Sequence, residues 1–361
     1  MAKTMHVNVP CRIKAIGVGG GGCNALNRMV KAKIQGVEFI AANTDVQALM
    51  LNEAPTRIQL GEKATQGLGS GGDPVKGRRA AEESHEELRE ILSGAHMVFI
   101  AAGMGGGTGT GACPVIAEIA KETGALTIGI VTRPFGFEGV RRMQVANEGI
   151  SQLMAKVNSV IVIPNERLLS ITDGSATVDN AFKVADDVLM TGVRAISEVI
   201  ILPGLINLDF ADIKSIMNDA GPAWLSIGHS SGQNRCVEAA QSAIASPLLE
   251  SSIEGSKGVL YVVTGAANLT LSEVSQAAEV IKKAVDPEAN VIFGVTLDSS
   301  MDSDVRITLI ATGFTSPKAI EATQKDEEFR HVIKGLDESS LGKPAFMRRP
   351  FSMRQRVSGG S

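Results

Sequence analysis

Residues 103–111 read Gly103-Met104-Gly105-Gly106-Gly107-Thr108-Gly109-Thr110-Gly111, and six of the nine are glycine. Upstream, Met97-Val98-Phe99-Ile100-Ala101-Ala102 has the length and character of a buried strand. Downstream, Pro114-Val115-Ile116-Ala117-Glu118-Ile119-Ala120 has helical spacing with a proline in the first turn. A glycine in an ordered element costs roughly 0.5–1 kcal/mol relative to alanine, so six cost about 3–6 kcal/mol. A domain has only about 5–15 kcal/mol in total. Such a run makes sense where the backbone itself must touch something. Successive N–H groups ahead of a helix N-terminus form a concave donor site for phosphate, and the two threonines add hydroxyls. A flexible Gly/Ser linker is the plain alternative, and the flanking strand and helix argue against it.

At 361 residues the chain is long enough for two domains with sizeable cores. Its 44% hydrophobic and 20% charged content is that of a soluble globular protein. A formal net charge of −4 argues against a dedicated nucleic-acid binder. Cys11, Cys23, Cys113 and Cys236 are scattered without a CxxC pair, so neither a zinc site nor a disulfide framework is expected. No apolar leader opens the chain, and no stretch approaches roughly 18 consecutive apolar residues. A cytoplasmic protein without a transmembrane segment is the expectation.

Taken in order, residues 1–10 read as a flexible leader. Residues 12–18 read as a strand running into Gly17-Val18-Gly19-Gly20-Gly21-Gly22-Cys23-Asn24 at a helix start, a GxGxxG match at Gly17, Gly19 and Gly22. Residues 37–42 form a second strand ending in Asn43-Thr44-Asp45, with Asp45 about where a ribose-binding acid of an NAD site would sit. An NAD-dependent Rossmann oxidoreductase is therefore one reading. Residues 67–74 are a second glycine-rich loop, ahead of a charged helical stretch over 75–93 with a solvated face. Further strands are expected at 126–131 and 159–163, the first preceding Arg133-Pro134-Phe135-Gly136-Phe137-Glu138. Three glycine-rich loops exceed what a dinucleotide fold needs, and no GxxxxGK[ST] occurs. Alternating strands and helices imply a parallel sheet with loops converging at the strand C-terminal ends.

Apolar residues at Val178, Phe182, Ala185, Leu189, Val193, Ile196 and Ile200 predict one long helix over 178–201. After a short helical run to Met217, strands are expected at 224–227, 259–263, 291–297 and 305–311, with a helix over 271–284. That is a second, smaller α+β domain, with the long helix as its connection to the first. Residues 343–361 hold five basic residues and no acid, as a tail or a short binding peptide would.

With Gly20–Asn24, Asn43-Thr44-Asp45, Pro164-Asn165-Glu166-Arg167 and Asn207-Leu208-Asp209-Phe210-Ala211-Asp212, the 103–111 stretch resembles the tubulin/FtsZ GTPase family, in its bacterial cell-division branch. The resemblance covers roughly residues 11–317 and implies an α/β fold with a Rossmann-like GTP-binding domain (11–177), a central helix (178–202) and a catalytic loop with the following helix (203–222). A C-terminal α+β domain (223–316), a short linker (317–342) and a tail peptide (343–361) would follow.

By the same resemblance Gly20, Gly21, Gly22 and Asn24 would line the α/β-phosphates, with Asn43 nearby. Ser70, Gly71 and Gly72 would approach the γ-phosphate. Gly103, Gly105, Gly106, Gly107, Thr108, Gly109 and Thr110 would make the signature contacts. Glu138 and Arg142 match a ribose- and phosphate-side pair, Asn165 lies near sugar and base, Phe182 stacks on the base and Asp186 accepts from guanine. Asp209 and Asp212, supported by Asn207, would position water on the nucleotide of the next subunit; read alone, they are an ordinary acidic helix start. Mg²⁺ would be held through the GTP phosphates with no direct protein ligand, and K⁺ is a candidate monovalent ion. The implied activity is GTP hydrolysis to GDP coupled to head-to-tail filaments of the division ring, beneath the membrane at mid-cell. Pro344, Phe346, Arg348 and Arg349 would dock membrane tethers and division regulators. A GTP-binding scaffold filament with little turnover shares these motifs.

Overall fold

The C-terminal ends of a parallel sheet are where this chain gathers its glycine-rich segments. The computed structural model describes residues 11–169, 177–201, 204–206, 208–246, 253–298 and 301–314. The first half alternates strand and helix: β1 (Ile13–Val18), α1 (Gly19–Lys31), β2 (Val37–Asn43), α2 (Val46–Met50), β3 (Thr56–Gln59), α3 (Glu62–Thr65), α4 (Pro74–Glu83) and α5 (His85–Leu92). It continues through β4 (Met97–Gly103), α6 (Gly107–Glu122), β5 (Leu126–Arg133), a 3₁₀ turn (Gly136–Glu138), α7 (Val140–Met154), β6 (Ser159–Pro164) and α8 (Asn165–Leu169). The long helix α9 (Val178–Ile201) and α10 (Phe210–Met217) lead to β7 (Gly221–Ser231), α11 (Arg235–Ile244), β8 (Gly258–Gly265), α12 (Leu271–Lys283), β9 (Asn290–Leu297) and β10 (Asp304–Thr312).

These strands form one sheet in the order β3-β2-β1-β4-β5-β6-β7-β10-β8-β9. β3 through β6 are mutually parallel. Such strands are covered on both faces, which is why β4 is an unbroken apolar run. The strands of the second half continue the same sheet. β7 joins β6 through three parallel pairs, Ser159–Gly221 to Ile161–Ala223, then runs antiparallel to β10.

Two apolar layers sandwich the first half. On one face α1 and α9 pack Leu26, Met29, Leu189, Val193 and Ile196 against Ala15, Phe99 and Ile128. On the other, α4, α5, α6 and α7 pack against Ile16, Val98 and Ile100. Helix α9 spans the bounds that its apolar spacing predicts.

Two expectations are corrected. Helix α6 begins at Gly107, so Pro114 lies inside the helix and residues 107–111 are its first turns, not a loop. Tertiary packing overrides the poor helix propensity of glycine: a Cβ on Gly111 would overlap the Pro74 carbonyl oxygen, and one on Gly109 would sit 2.7 Å from the Gly103 oxygen. The stretch 75–93 is two helices, α4 and α5, meeting at Ser84, whose hydroxyl accepts from the Gly61 N–H at 3.0 Å.

Candidate functional site

Helices α1 and α6 both start at the C-terminal ends of their strands, where the connecting turns are almost absent. Gly19 makes this possible beside β1: its φ is +69°, and a Cβ would lie 2.9 Å from the Gly109 nitrogen. Neither helix start is capped by a side chain, and neither first turn carries an acid. Two sets of unpaired N–H groups and two positive dipole ends are thus left for an anion.

Between them lies a cavity of about 380 Å³. Gly20, Gly21 and Asn24 line it from α1; Gly103, Gly106, Gly107, Thr108 and Gly109 from β4 and α6; and Ser70 from the loop before α4. The α9 side contributes Phe182 and Asp186, the 3₁₀ turn and α7 after β5 contribute Glu138 and Arg142, and Asn165 opens α8 directly after β6. The cavity therefore runs across the sheet edge from the α1–α9 face to the α4–α6 face.

The two ends differ chemically. Toward α9, Asp186 is only 17% exposed in its side chain and lies 3.7 Å from the Arg28 guanidinium. Burial pushes its carboxyl from 3.8 up to about 7; Arg28 opposes the shift and Asp187 adds to it. Asp187, its neighbour in sequence, is 45% exposed and takes the closer ion pair with Arg28. Phe182 lies perpendicular to Phe135, centroids 5.3 Å apart, and is 39% exposed where it lines the cavity, so part of its ring is accessible to a flat ligand. The Asn165 Oδ1 is buried in the cavity wall and accepts no hydrogen bond from the described residues. At the α4–α6 end the wall is hydroxyl and backbone, with no carboxylate among the described residues that line it.

Glu138 accepts from the Phe135 N–H at 2.8 Å and pairs with Arg142 at 3.1 Å, so the two form one unit at the rim. Six of the expected ligands do not line the cavity. Gly22 faces β4, where a Cβ would overlap the Ala101 carbonyl oxygen. Thr110 and Gly105 serve each other, the Gly105 N–H donating to the Thr110 hydroxyl at 2.9 Å. Asn43 is buried and its Oδ1 accepts from Thr44 N at 2.9 Å, which holds the end of β2. Gly71 and Gly72 are solvent-exposed in left-handed conformations. Asp45 caps α2, its Oδ1 accepting from Gln47 N and Ala48 N, and it does not line the cavity where the dinucleotide reading needs a ribose acid.

Besides Val18 and Met104 beside the glycine runs, sequence reading missed four lining residues, Thr132, Pro134, Ala185 and Leu189. The first two lie at or just past the end of β5, where a parallel sheet puts its ligands. The other two share a helix face with Phe182 and Asp186 at three- and four-residue spacing.

Asp209 and Asp212 lie elsewhere. They form a reciprocal capping box at the start of α10: the Asp212 N–H donates to Asp209 Oδ1 at 2.8 Å, and the Asp209 N–H to Asp212 Oδ2 at 3.0 Å. The next residue, Phe210, has its ring 6.3 Å from that of His96, which directly precedes β4. The far end of α10 accepts from the Ser159 hydroxyl, at the start of β6, through the Met217 carbonyl at 2.7 Å. Helix α10 thus lies along the N-terminal edge of the sheet, and the cavity along the C-terminal edge. Seven-residue β4 separates them by about 20 Å. Asn207 lies outside the described residues, as do Pro344, Phe346, Arg348 and Arg349 of the tail. No helix among the described residues is long and apolar enough to cross a membrane.

Residues 12–173 match the GTPase domain of the tubulin/FtsZ family, and residues 221–315 the FtsZ C-terminal domain. An FtsZ dimer from M. jannaschii, described as empty, is 43% identical; the match covers 85% of this chain and 89% of that one, with a TM-score of 0.81. CetZ2 from Haloferax volcanii, a GTPγS-bound protofilament, shares the fold at 17% identity, with 88% and 99% of the chains covered and a TM-score of 0.73. CetZ1 of the same organism, a GDP-bound monomer, does so at 20% identity, 88% and 99% coverage and a TM-score of 0.74. The chain belongs to the FtsZ branch of the tubulin/FtsZ family of GTPases.

Proposed function

We propose that this protein binds GTP in the cavity between α1, α6 and α9 and hydrolyses it only after copies stack head to tail. The filaments would build the cell-division ring beneath the membrane. The observation that carries the reading is the separation of two half-sites. Among the described residues the cavity has phosphate donors and a half-buried carboxylate but no acid at its phosphate end, while Asp209 and Asp212 stand exposed or half-exposed at the opposite edge. Neither acid reaches the cavity of its own chain, and translational stacking brings each to the cavity of the next. That is a heterologous contact, which propagates without closing.

In this reading the amides of Gly20, Gly21 and 106–109 take the phosphates, with Gly71 and Gly72 at the mouth of the loop. Glu138 and Arg142 act at the ribose side, Asn165 between sugar and base, and Phe182 on the base face. Guanine presents N1–H and N2–H as adjacent donors, which an ionised Asp186 accepts. Adenine has no N1 proton and leaves that carboxylate unpaired. Phosphoryl transfer asks mainly for positioning and charge neutralisation. Asp209 and Asp212 of the adjoining copy would orient the attacking water, with Asn207 supporting their loop. Mg²⁺ fits a cavity whose phosphate end lacks carboxylates: it would ride on the phosphate oxygens and neutralise them, with K⁺ near the two acids. The basic tail, residues 343–361, would take the membrane-tether and regulator proteins.

Asp212→Asn tests this. The substituted side chain keeps an amide oxygen as acceptor for the Asp209 N–H, so α10 stays capped. The variant is expected to bind GTP with unchanged affinity and to sediment as filaments, with turnover down about 10²- to 10⁴-fold. Unchanged turnover refutes the shared site. Loss of nucleotide binding instead would place Asp212 in its own subunit's cavity.

A further inference from the structure

Thr44, Thr108 and Ser70 bring three hydroxyls together at the α4–α6 end of the cavity. The Thr108 Oγ1 lies 2.6 Å from Thr44 Oγ1 and 3.0 Å from Ser70 Oγ. All three residues are buried. Thr108 and Ser70 line the cavity, while Thr44 sits behind them. Among the described residues, Thr108 is the one hydrogen-bond partner of the Thr44 hydroxyl, and likewise of the Ser70 hydroxyl. Gly107 makes room for the arrangement, because a Cβ there would overlap Ser70 Oγ.

Each hydroxyl has one hydrogen and two lone pairs, so the contacts allow two one-way chains and an arrangement in which Thr44 and Ser70 both donate to Thr108, the Thr108 hydrogen faces the cavity and Ser70 offers it only lone pairs. If Ser70 donates to Thr108 and Thr108 to Thr44, the Thr44 hydrogen is buried without an acceptor and Ser70 offers the cavity only lone pairs. If Thr44 donates to Thr108 and Thr108 to Ser70, the one hydrogen left over is that of Ser70, which faces the cavity. A buried donor without a partner is rarer and costlier than an acceptor with a spare lone pair. The second direction also places a donor where an anion needs one, and an anion at its end polarises the whole chain.

We propose that Thr44 is a positioning residue that sets this direction, so that Ser70 donates its hydroxyl hydrogen to the terminal phosphate of a bound nucleoside triphosphate. The inference rests on the nucleotide reading above: with the base toward Asp186 on the α9 side, the phosphates extend toward α6 and Ser70 meets the last of them. Without the Thr44 hydroxyl, Ser70 is the donor left within reach of the Thr108 oxygen. Nothing then holds the Thr108 hydrogen toward Ser70, and the arrangement that turns the Ser70 hydrogen onto Thr108 and away from the cavity gains population.

Equilibrium binding of GTPγS and of GDP to the full chain tests this. Thr44→Val, of equal volume, is expected to weaken GTPγS by about 5- to 10-fold while GDP stays within about twofold. Thr44→Ser restores GTPγS affinity. Ser70→Ala, at the cavity wall, shows the same selective loss, and the double variant loses no more than Ser70→Ala alone. Equal weakening of both nucleotides by Thr44→Val overturns the proposal, as do no weakening, failure of Thr44→Ser to restore, or losses that multiply in the double variant. A wild-type chain that binds neither nucleotide overturns the nucleotide reading as well, so the two failures are distinct.

Discussion

Asp186→Asn separates the electrostatics of the base end from its shape. In the free protein burial lifts this carboxyl to about 7, against Arg28 and with help from Asp187. The guanine edge needs the ionised form, whose share rises from about 10% at pH 6 to about 90% at pH 8, so affinity gains close to tenfold over that range. Stability moves the other way. The folded value lies above the unfolded 3.8, so the folded state binds more protons, and stability present at low pH is lost as pH rises through about 7. Between pH 6 and 8 the loss is about 1 kcal/mol. The amide of the variant titrates in neither state. Calorimetric binding of GDP at pH 6, 7 and 8, expressed as the ratio of wild type to Asp186→Asn, cancels the ionisation of the nucleotide's own phosphates. That ratio should grow about tenfold, while the ligand-free melting temperature of wild type falls relative to the variant. A ratio flat with pH would refute the assignment of Asp186 as guanine acceptor.

Two other perturbations follow from packing. Gly107→Ala drives a Cβ into Ser70 Oγ and to within 2.7 Å of the Asp73 nitrogen, so the loop must withdraw from the cavity. A stability loss of about 1–3 kcal/mol together with weakened nucleotide binding is expected from melting and titration. Arg235 is buried, with its Nε 2.8 Å from Glu273 and its Nη1 donating to the Ser303 carbonyl at 3.0 Å. Arg235→Ala strands the Glu273 carboxylate and should cost about 3–5 kcal/mol in denaturant titration. The hydrogen bond to Arg235 pulls the Glu273 carboxyl down to about 2, opposed by burial and helped by Thr270. Its contribution is therefore full above about 4.5 and lost only as pH falls through about 2.

Much of the cavity was readable because its residues follow the C-terminal ends of parallel strands, each announced by glycine after an apolar run. The central helix was readable from its 3.6-residue spacing alone. Residue pattern alone does not separate Asp186 from Asp187, and only the family resemblance singles out Asp186; the structure puts Asp186 in the cavity wall and gives Asp187 the closer ion pair with Arg28. Glycine is ambiguous in the same way. Gly22 and Gly107 look alike on paper, yet the first gives room to a neighbouring backbone and the second to a side chain and a loop. The Thr44–Thr108–Ser70 chain joins residues 64 and 38 positions apart, which no local pattern reveals. Helices α7 and α11 went unread because their apolar faces are built largely from Ala and Gly. Asp209 and Asp212 are the instructive case. The ordinary capping role and the catalytic expectation are compatible, because the box uses Asp209 Oδ1 and Asp212 Oδ2 and leaves the other oxygen of each carboxylate outside it.

Completion of the catalytic site by a second copy makes turnover depend on assembly. GTP turnover per molecule, measured across a titration of protein concentration, tests it most directly. The account predicts negligible turnover at low concentration and a steep rise above a threshold that coincides with sedimentable polymer. Turnover per molecule that is constant with concentration would mean that each chain carries a whole site, and would contradict the account.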